Sequence, residues 1–130
     1  MFDCNQGQDM DSDTIVPALL ARDMLATLAF YELLGFTLVG CEPDRNRPTW
    51  MELRRAGAVL QFHSDPPMGT LTGPAMSGTI YVRTTNVRAL AASIRGRIDF
   101  EWEPDEMEYG QLEFGVKDPN GYFVAFAQTG

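Results

Sequence analysis

Few side chains in this chain are equipped for chemistry. Its single histidine is His63, and its two cysteines are Cys4 and Cys41. Acid–base or nucleophilic catalysis needs a base within reach of an acid or nucleophile. No second histidine and no carboxylate pair at a telling spacing meets that need. No glycine-rich phosphate loop precedes a helix pattern. Both cysteines read as inert thiols. What remains for proton transfer is His63, with Glu52 and Gln61 as polar neighbours. The catalytic constellation is thin.

The charge pattern narrows the partners. Eighteen acids against ten bases give a net charge of −8, unevenly spread. The first 13 residues hold four acids and no base, and the tract DFEWEPDEME (99–108) holds six acids and no base. The remainder is nearly neutral. Nucleic acid and anionic membrane both require a basic face, so neither is expected as a partner. A cationic or neutral small molecule fits better.

At 130 residues and 45% hydrophobic content, the sequence implies one globular domain with a real core. No apolar run approaches the ~18 residues that span a bilayer. The N-terminus MFDCNQGQDMDSD has neither a basic start nor an apolar stretch, so it does not read as a signal peptide. Two cysteines exclude a disulfide scaffold and imply reduced thiols in a cytoplasm.

The elements that must position any site follow from periodicity. Alternation over Thr79–Arg83 predicts a strand, Asn86 an N-cap, VRALAASIRG a helix, and Gly96 its stop. The same order appears earlier: strand TIVPALLA, N-cap Asp23, helix MLATLAFYELL, stop Gly35. Strand signals FTLVGC, TWMEL and AVLQFH follow the first helix; RIDFEW, QLEFGV and YFVAFA follow the second. Asp118-Pro119-Asn120-Gly121 reads as a turn.

Overlaying Asp23 on Asn86 gives an offset of 63, and Gly57 on Gly121 an offset of 64. Two independent markers therefore agree on an internal duplication of a βαβββ unit. The expected organisation is a polar tail over 1–13, mobile or exchanged between subunits, and one domain over 14–128. Within it lie module 1 (14–65), a Pro/Gly-rich linker (64–78) and module 2 (79–128).

Period-two alternation assigns the faces of the strands. Leu60, Phe62, Ile80, Val82, Val124 and Phe126 should face the helices, with Met51 and Leu53. Val16, Ala18, Gln61, His63, Thr79, Tyr81, Arg83, Phe123 and Ala125 fall on the opposite face, with Trp50, Glu52 and Arg54. That mixture of aromatic, polar and small side chains reads as a cleft wall; a solvated face or a dimer contact is the plainer alternative.

The segments VPALLARDMLATLAFYELLGF (16–36), WMELRRAGAVLQF (50–62), TIYVRTTNVRAL (79–90) and YGQLEFGVKDPNGYFVAF (109–126) resemble the vicinal-oxygen-chelate superfamily. Glyoxalases, extradiol dioxygenases and bleomycin resistance proteins belong to it. The resemblance implies an α+β fold of two βαβββ modules, forming a curled mixed sheet around a cleft with the helices on its outer face. It also implies a homodimer.

Metal-dependent members take ligands from the first and last strands of each module. Those positions are matched here by Val16, Gln61, Thr79 and Ala125. A divalent ion needs at least three converging N, O or S donors. Val16 and Ala125 offer none and Thr79 is a poor ligand, so the resemblance implies a member with no metal and no other cofactor.

Among metal-free members the sequence is most similar to bleomycin resistance proteins, which bind a cationic glycopeptide without modifying it. This implies a groove with stacking surfaces and acidic groups. Trp50, Tyr81, Trp102, Met107 and Tyr109 would supply the former and the tract around Trp102 the latter; Glu52, Gln61 and His63 complete the expected ligand-binding set. The expected function is a metal-independent small-molecule binding protein that sequesters an antibiotic or another cationic or aromatic ligand. An atypical lyase, isomerase or dioxygenase built on Gln61, His63 and Glu52 is the alternative, and a filled cleft acting only through partners is a third.

Overall fold

A computed structural model describes residues 13–64 and 73–129. All but the last residue of the expected tail, and positions 65–72 of the expected linker, lie outside the described residues. Module 1 comprises β1 (Ala18–Leu20), α1 (Met24–Leu33), β2 (Thr37–Glu42), β3 (Trp50–Arg55) and β4 (Ala58–His63). Module 2 comprises β5 (Thr79–Thr84), α2 (Val87–Ile94), β6 (Phe100–Glu106), β7 (Leu112–Lys117) and β8 (Phe123–Gln128). The chain is thus α+β, with two βαβββ modules.

The duplication is exact in topology. Each module forms a four-stranded mixed sheet, in the order β1-β4-β3-β2 and β5-β8-β7-β6. The first strand of each pairs parallel with the last, and the other pairs are antiparallel. The sheet is therefore present as two halves and not as one closed surface. Strand β1 is shorter than TIVPALLA implies. Pro17 has no N–H to give to a ladder, and its carbonyl accepts from the Gln61 amide at 2.8 Å just before regular pairing begins.

Both helices start and stop where the sequence places their signals. The Asp23 side chain accepts from the Ala26 N–H at 2.9 Å and the Asn86 side chain from the Ala89 N–H at 3.0 Å. Such a cap contributes about 1 kcal/mol. Gly35 and Gly96 then leave the helices with φ of +93° and +86°, where a side chain would be strained.

One core serves both modules. Met51, Leu53, Leu60 and Phe62 from the first sheet, and Val82, Val124 and Phe126 from the second, are buried as their alternation predicts. They share a cluster with Leu28 and Tyr31 of α1 and Val87 and Ile94 of α2.

The turn before β8 ties the modules together. Asp118 accepts the Tyr31 hydroxyl at 2.7 Å and the backbone N–H groups of Asn120 and Tyr122 at 2.8 and 2.9 Å. Asn120 accepts from the Arg22 N–H at 2.8 Å and donates to Thr27 Oγ1 at 3.1 Å, and the Tyr122 hydroxyl donates to the Leu20 carbonyl at 2.7 Å. Arg55 adds a second tie, donating to the Leu34 carbonyl and to Thr84 Oγ1. The turn motif is a clasp between modules.

Candidate functional site

The faces of the two sheets turned away from the helices each carry a tryptophan laid against a glycine. In module 1, Trp50 of β3 covers Gly40 of β2, where an added Cβ would stand 3.6 Å from the ring. In module 2 the strands exchange roles: Trp102 of β6 covers Gly115 of β7, and an added Cβ would stand 2.4 Å from the ring. Only a glycine permits that second approach. Ala125, the partner of Gly115 on β8, is also fully buried.

Hydrogen bonds hold both indoles. Trp50 Nε1 donates to Gln61 Oε1 at 3.4 Å, and Gln61 Nε2 donates to Glu52 Oε1 at 2.9 Å. Arg54 closes the chain with a 2.9 Å ion pair to Glu52. The Gln61 amide first, and then Arg54, hold the Glu52 carboxyl below its usual range, against an opposing effect of burial. His63 is half-buried at the end of β4, beside Trp50 in the register.

In module 2 the anchor is Glu113, a buried carboxylate on β7 that is 2% exposed. It accepts from Trp102 Nε1 at 3.1 Å, from the Tyr81 hydroxyl at 3.2 Å and from the Tyr109 hydroxyl at 2.6 Å. The bond from Tyr109 to Glu113, followed by that to Tyr81, pushes the Tyr109 hydroxyl well above its usual value. Phe123 stands next to Trp102 with ring centroids 6.4 Å apart. Tyr81 and Tyr109 remain exposed, so the cluster presents an aromatic surface above a buried carboxylate.

The structure therefore brings the sequence-selected residues together as two groups. Trp50, Glu52 and Gln61 form one, with His63 beside it; Tyr81, Trp102 and Tyr109 form the other. Met107 sits in the turn between β6 and β7, where its backbone bonds to Gln111 and Gly110. Within the acidic tract, Glu103 pairs with Arg95 beyond α2 at 2.9 Å. Glu113 was the missed residue. Its signal lay in QLEFGV, where alternation puts Glu113 and Gly115 on the face opposite Phe114.

The donor set can be judged on the register. Gln61 pairs with Ala18, and Ala125 with Tyr81, the members of each pair 63 and 64 residues from their counterparts. Val16 and Thr79 stand two residues earlier, Val16 just before β1 and Thr79 at the start of β5. Apart from Gln61, these positions offer alanine, valine, threonine and tyrosine side chains. Among the described residues no three His, Cys, Asp or Glu side chains form a ligand set. The side chains at these positions do not supply the three donors that a divalent ion needs.

Residues 14–126 match the family model of the Glyoxalase/Bleomycin resistance protein/Dioxygenase superfamily. The chain belongs to that superfamily. Its fold is shared by several solved members. A bleomycin-binding protein complexed with bleomycin is 23% identical, with a TM-score of 0.69 over 92% of this chain and 100% of that one. The bleomycin resistance determinant encoded on transposon Tn5 is 24% identical, with a TM-score of 0.71 over 91% and 98%. TnmS3, an antibiotic binding protein from Streptomyces sp. CB03234, is 20% identical, with a TM-score of 0.73 over 92% and 97%. At these identities the likeness to the solved members of the superfamily is one of fold. No protein of curated function matches the chain. Among the described residues no helix is long and apolar enough to cross a membrane.

Proposed function

We propose that the protein is a metal-independent binder of small molecules that sequesters an antibiotic or a similar aromatic, cationic ligand. The observation that carries this reading is the pair of glycine-seated tryptophans, each fixed by a hydrogen bond from its indole N–H. A ring held flat and half-exposed is prepared for stacking, because the entropy of ordering it is already spent in the free protein. The antibiotic-binding neighbours support the ligand class. The same reading takes the protein as a cytoplasmic homodimer. Exposed apolar side chains on or beside the strands, among them Ile15, Val16 and Val39, support a second chain there.

Truncation of the stacking groups tests the reading. With bleomycin as first probe and other cationic or aromatic antibiotics beside it, Trp50→Ala or Trp102→Ala should weaken binding by roughly 1–3 kcal/mol. Unchanged affinity in both variants moves the site elsewhere.

The donor set yields a second expectation. Protein purified without added metal should hold well below one equivalent of divalent metal per chain by elemental analysis. Tightly held, stoichiometric nickel, zinc or iron would overturn the metal-independent reading and restore a lyase, isomerase or dioxygenase as the better one.

A further inference from the structure

The two carboxylates on the strand faces differ in one respect. Glu52 has its own cation, with Arg54 at 2.9 Å. Glu113 has no Lys or Arg: all ten of these side chains lie in the described residues, and no ion pair joins any of them to it. Its three partners, Tyr81, Trp102 and Tyr109, are uncharged donors. A buried carboxylate is costly unless a positive charge offsets it. Here the field of Glu113 emerges through the rings that hold it, and aromatic faces themselves attract cations.

The wall already carries one cation. Lys117 places its Nζ 5.7 Å from the centroid of Phe123, the ring adjoining Trp102. Lys117 is exposed, and among the described residues it has no ion pair to lose on swinging aside.

We infer that Glu113, with Tyr81, Trp102, Tyr109 and Phe123, forms a subsite for an organic cation, an alkylammonium or guanidinium group of the ligand. The inference rests on reading this face as the ligand site and adds its charge determinant. The cation docks on the rings with Glu113 behind them, and Lys117 holds the Phe123 side of the subsite until the ligand displaces it. The acidic tract 99–108 is not required.

Two isosteres that differ only in charge test it: para-(trimethylammonio)benzyl alcohol and para-tert-butylbenzyl alcohol. Binding is followed by calorimetry and by the Trp102 indole N–H resonance. Wild-type protein should bind the charged probe at least about tenfold more tightly than the neutral one. Glu113→Gln should erase that preference, so that the two probes bind with equal affinity, and Lys117→Met should raise affinity for the charged probe alone. Equal affinities in wild type, or a preference that survives Glu113→Gln, would overturn the subsite. Should Glu113→Gln fail to fold, Lys117→Met decides: an unchanged ratio of affinities overturns it. Binding of the neutral probe only defeats the cation subsite and spares the ligand-site reading. Binding of neither probe defeats both.

Discussion

Gly115→Ala is expected to dismantle the second tryptophan platform with a single methyl group. The new Cβ would stand 2.4 Å from the Trp102 ring, far inside contact distance. The indole cannot shift in place, because its N–H is fixed on Glu113 and its edge adjoins Phe123. It must swing out. Forcing extra volume into a packed site costs typically 1–3 kcal/mol. Loss of the indole bond adds the penalty of a buried carboxylate short of one donor, about 1–3 kcal/mol. A destabilisation of roughly 3 kcal/mol in chemical denaturation should accompany a shifted Trp102 N–H resonance and weakened ligand binding. Wild-type stability with an unmoved resonance would mean that the ring is not seated on Gly115. The corresponding Gly40→Ala should be mild, since its Cβ would meet Trp50 at an ordinary contact distance of 3.6 Å.

The larger effect on stability should come from the clasp. Asp118→Ala strips acceptors from the Tyr31 hydroxyl and from two backbone N–H groups, all of them buried. Buried donors left without partners cost about 1–3 kcal/mol each, and the turn they organise also positions Asn120 between the modules. A loss of roughly 3–5 kcal/mol is expected, enough to unfold a marginal domain. A loss below about 1 kcal/mol would show that the Asp118 clasp does not hold the modules together.

The clasp also leaves a signature at high pH. Burial, and then the charge and hydrogen bond of Asp118, raise the Tyr31 hydroxyl well above its usual value. A group whose folded value is raised stabilises the fold in full below its unfolded value, near pH 10 for tyrosine, and loses that contribution as pH climbs beyond. Stability of the wild type should therefore fall from about pH 10 upward. Tyr31→Phe, weaker at neutral pH through loss of its bond, should show a shallower alkaline decline. Parallel curves for the two proteins would remove Tyr31 from the account.

Much of this was written in local signals. Asp23 and Asn86 cap the helices, Gly35 and Gly96 end them, and spacings of 63 and 64 residues mark the repeat that the twin sheets display. Alternation placed Trp50, Glu52, Gln61 and Tyr81 on one side because a strand's period is local. The seating of each tryptophan was not legible. It depends on which glycine faces it across a neighbouring strand, and the β6–β7 register shifts twice on the way, at Phe100/Trp102 and at Trp102/Asp105. Glu113 escaped for a related reason: its partners come from β5, β6 and the turn after β6. Composition drew attention to the acidic tract, whereas burial singles out one carboxylate outside it.

This superfamily member is proposed to hold small organic ligands without a metal. A thermal-shift screen tests it most directly, with cationic glycopeptide and aromatic antibiotics set beside divalent metals and a chelator. A ligand at 100 times its dissociation constant adds roughly 2.7 kcal/mol, several degrees in Tm for a domain of this size. Stabilisation by at least one antibiotic, unaffected by chelator, and none by metals is the expected result. Stabilisation by a metal and its reversal by chelator, with no response to any antibiotic, would contradict it.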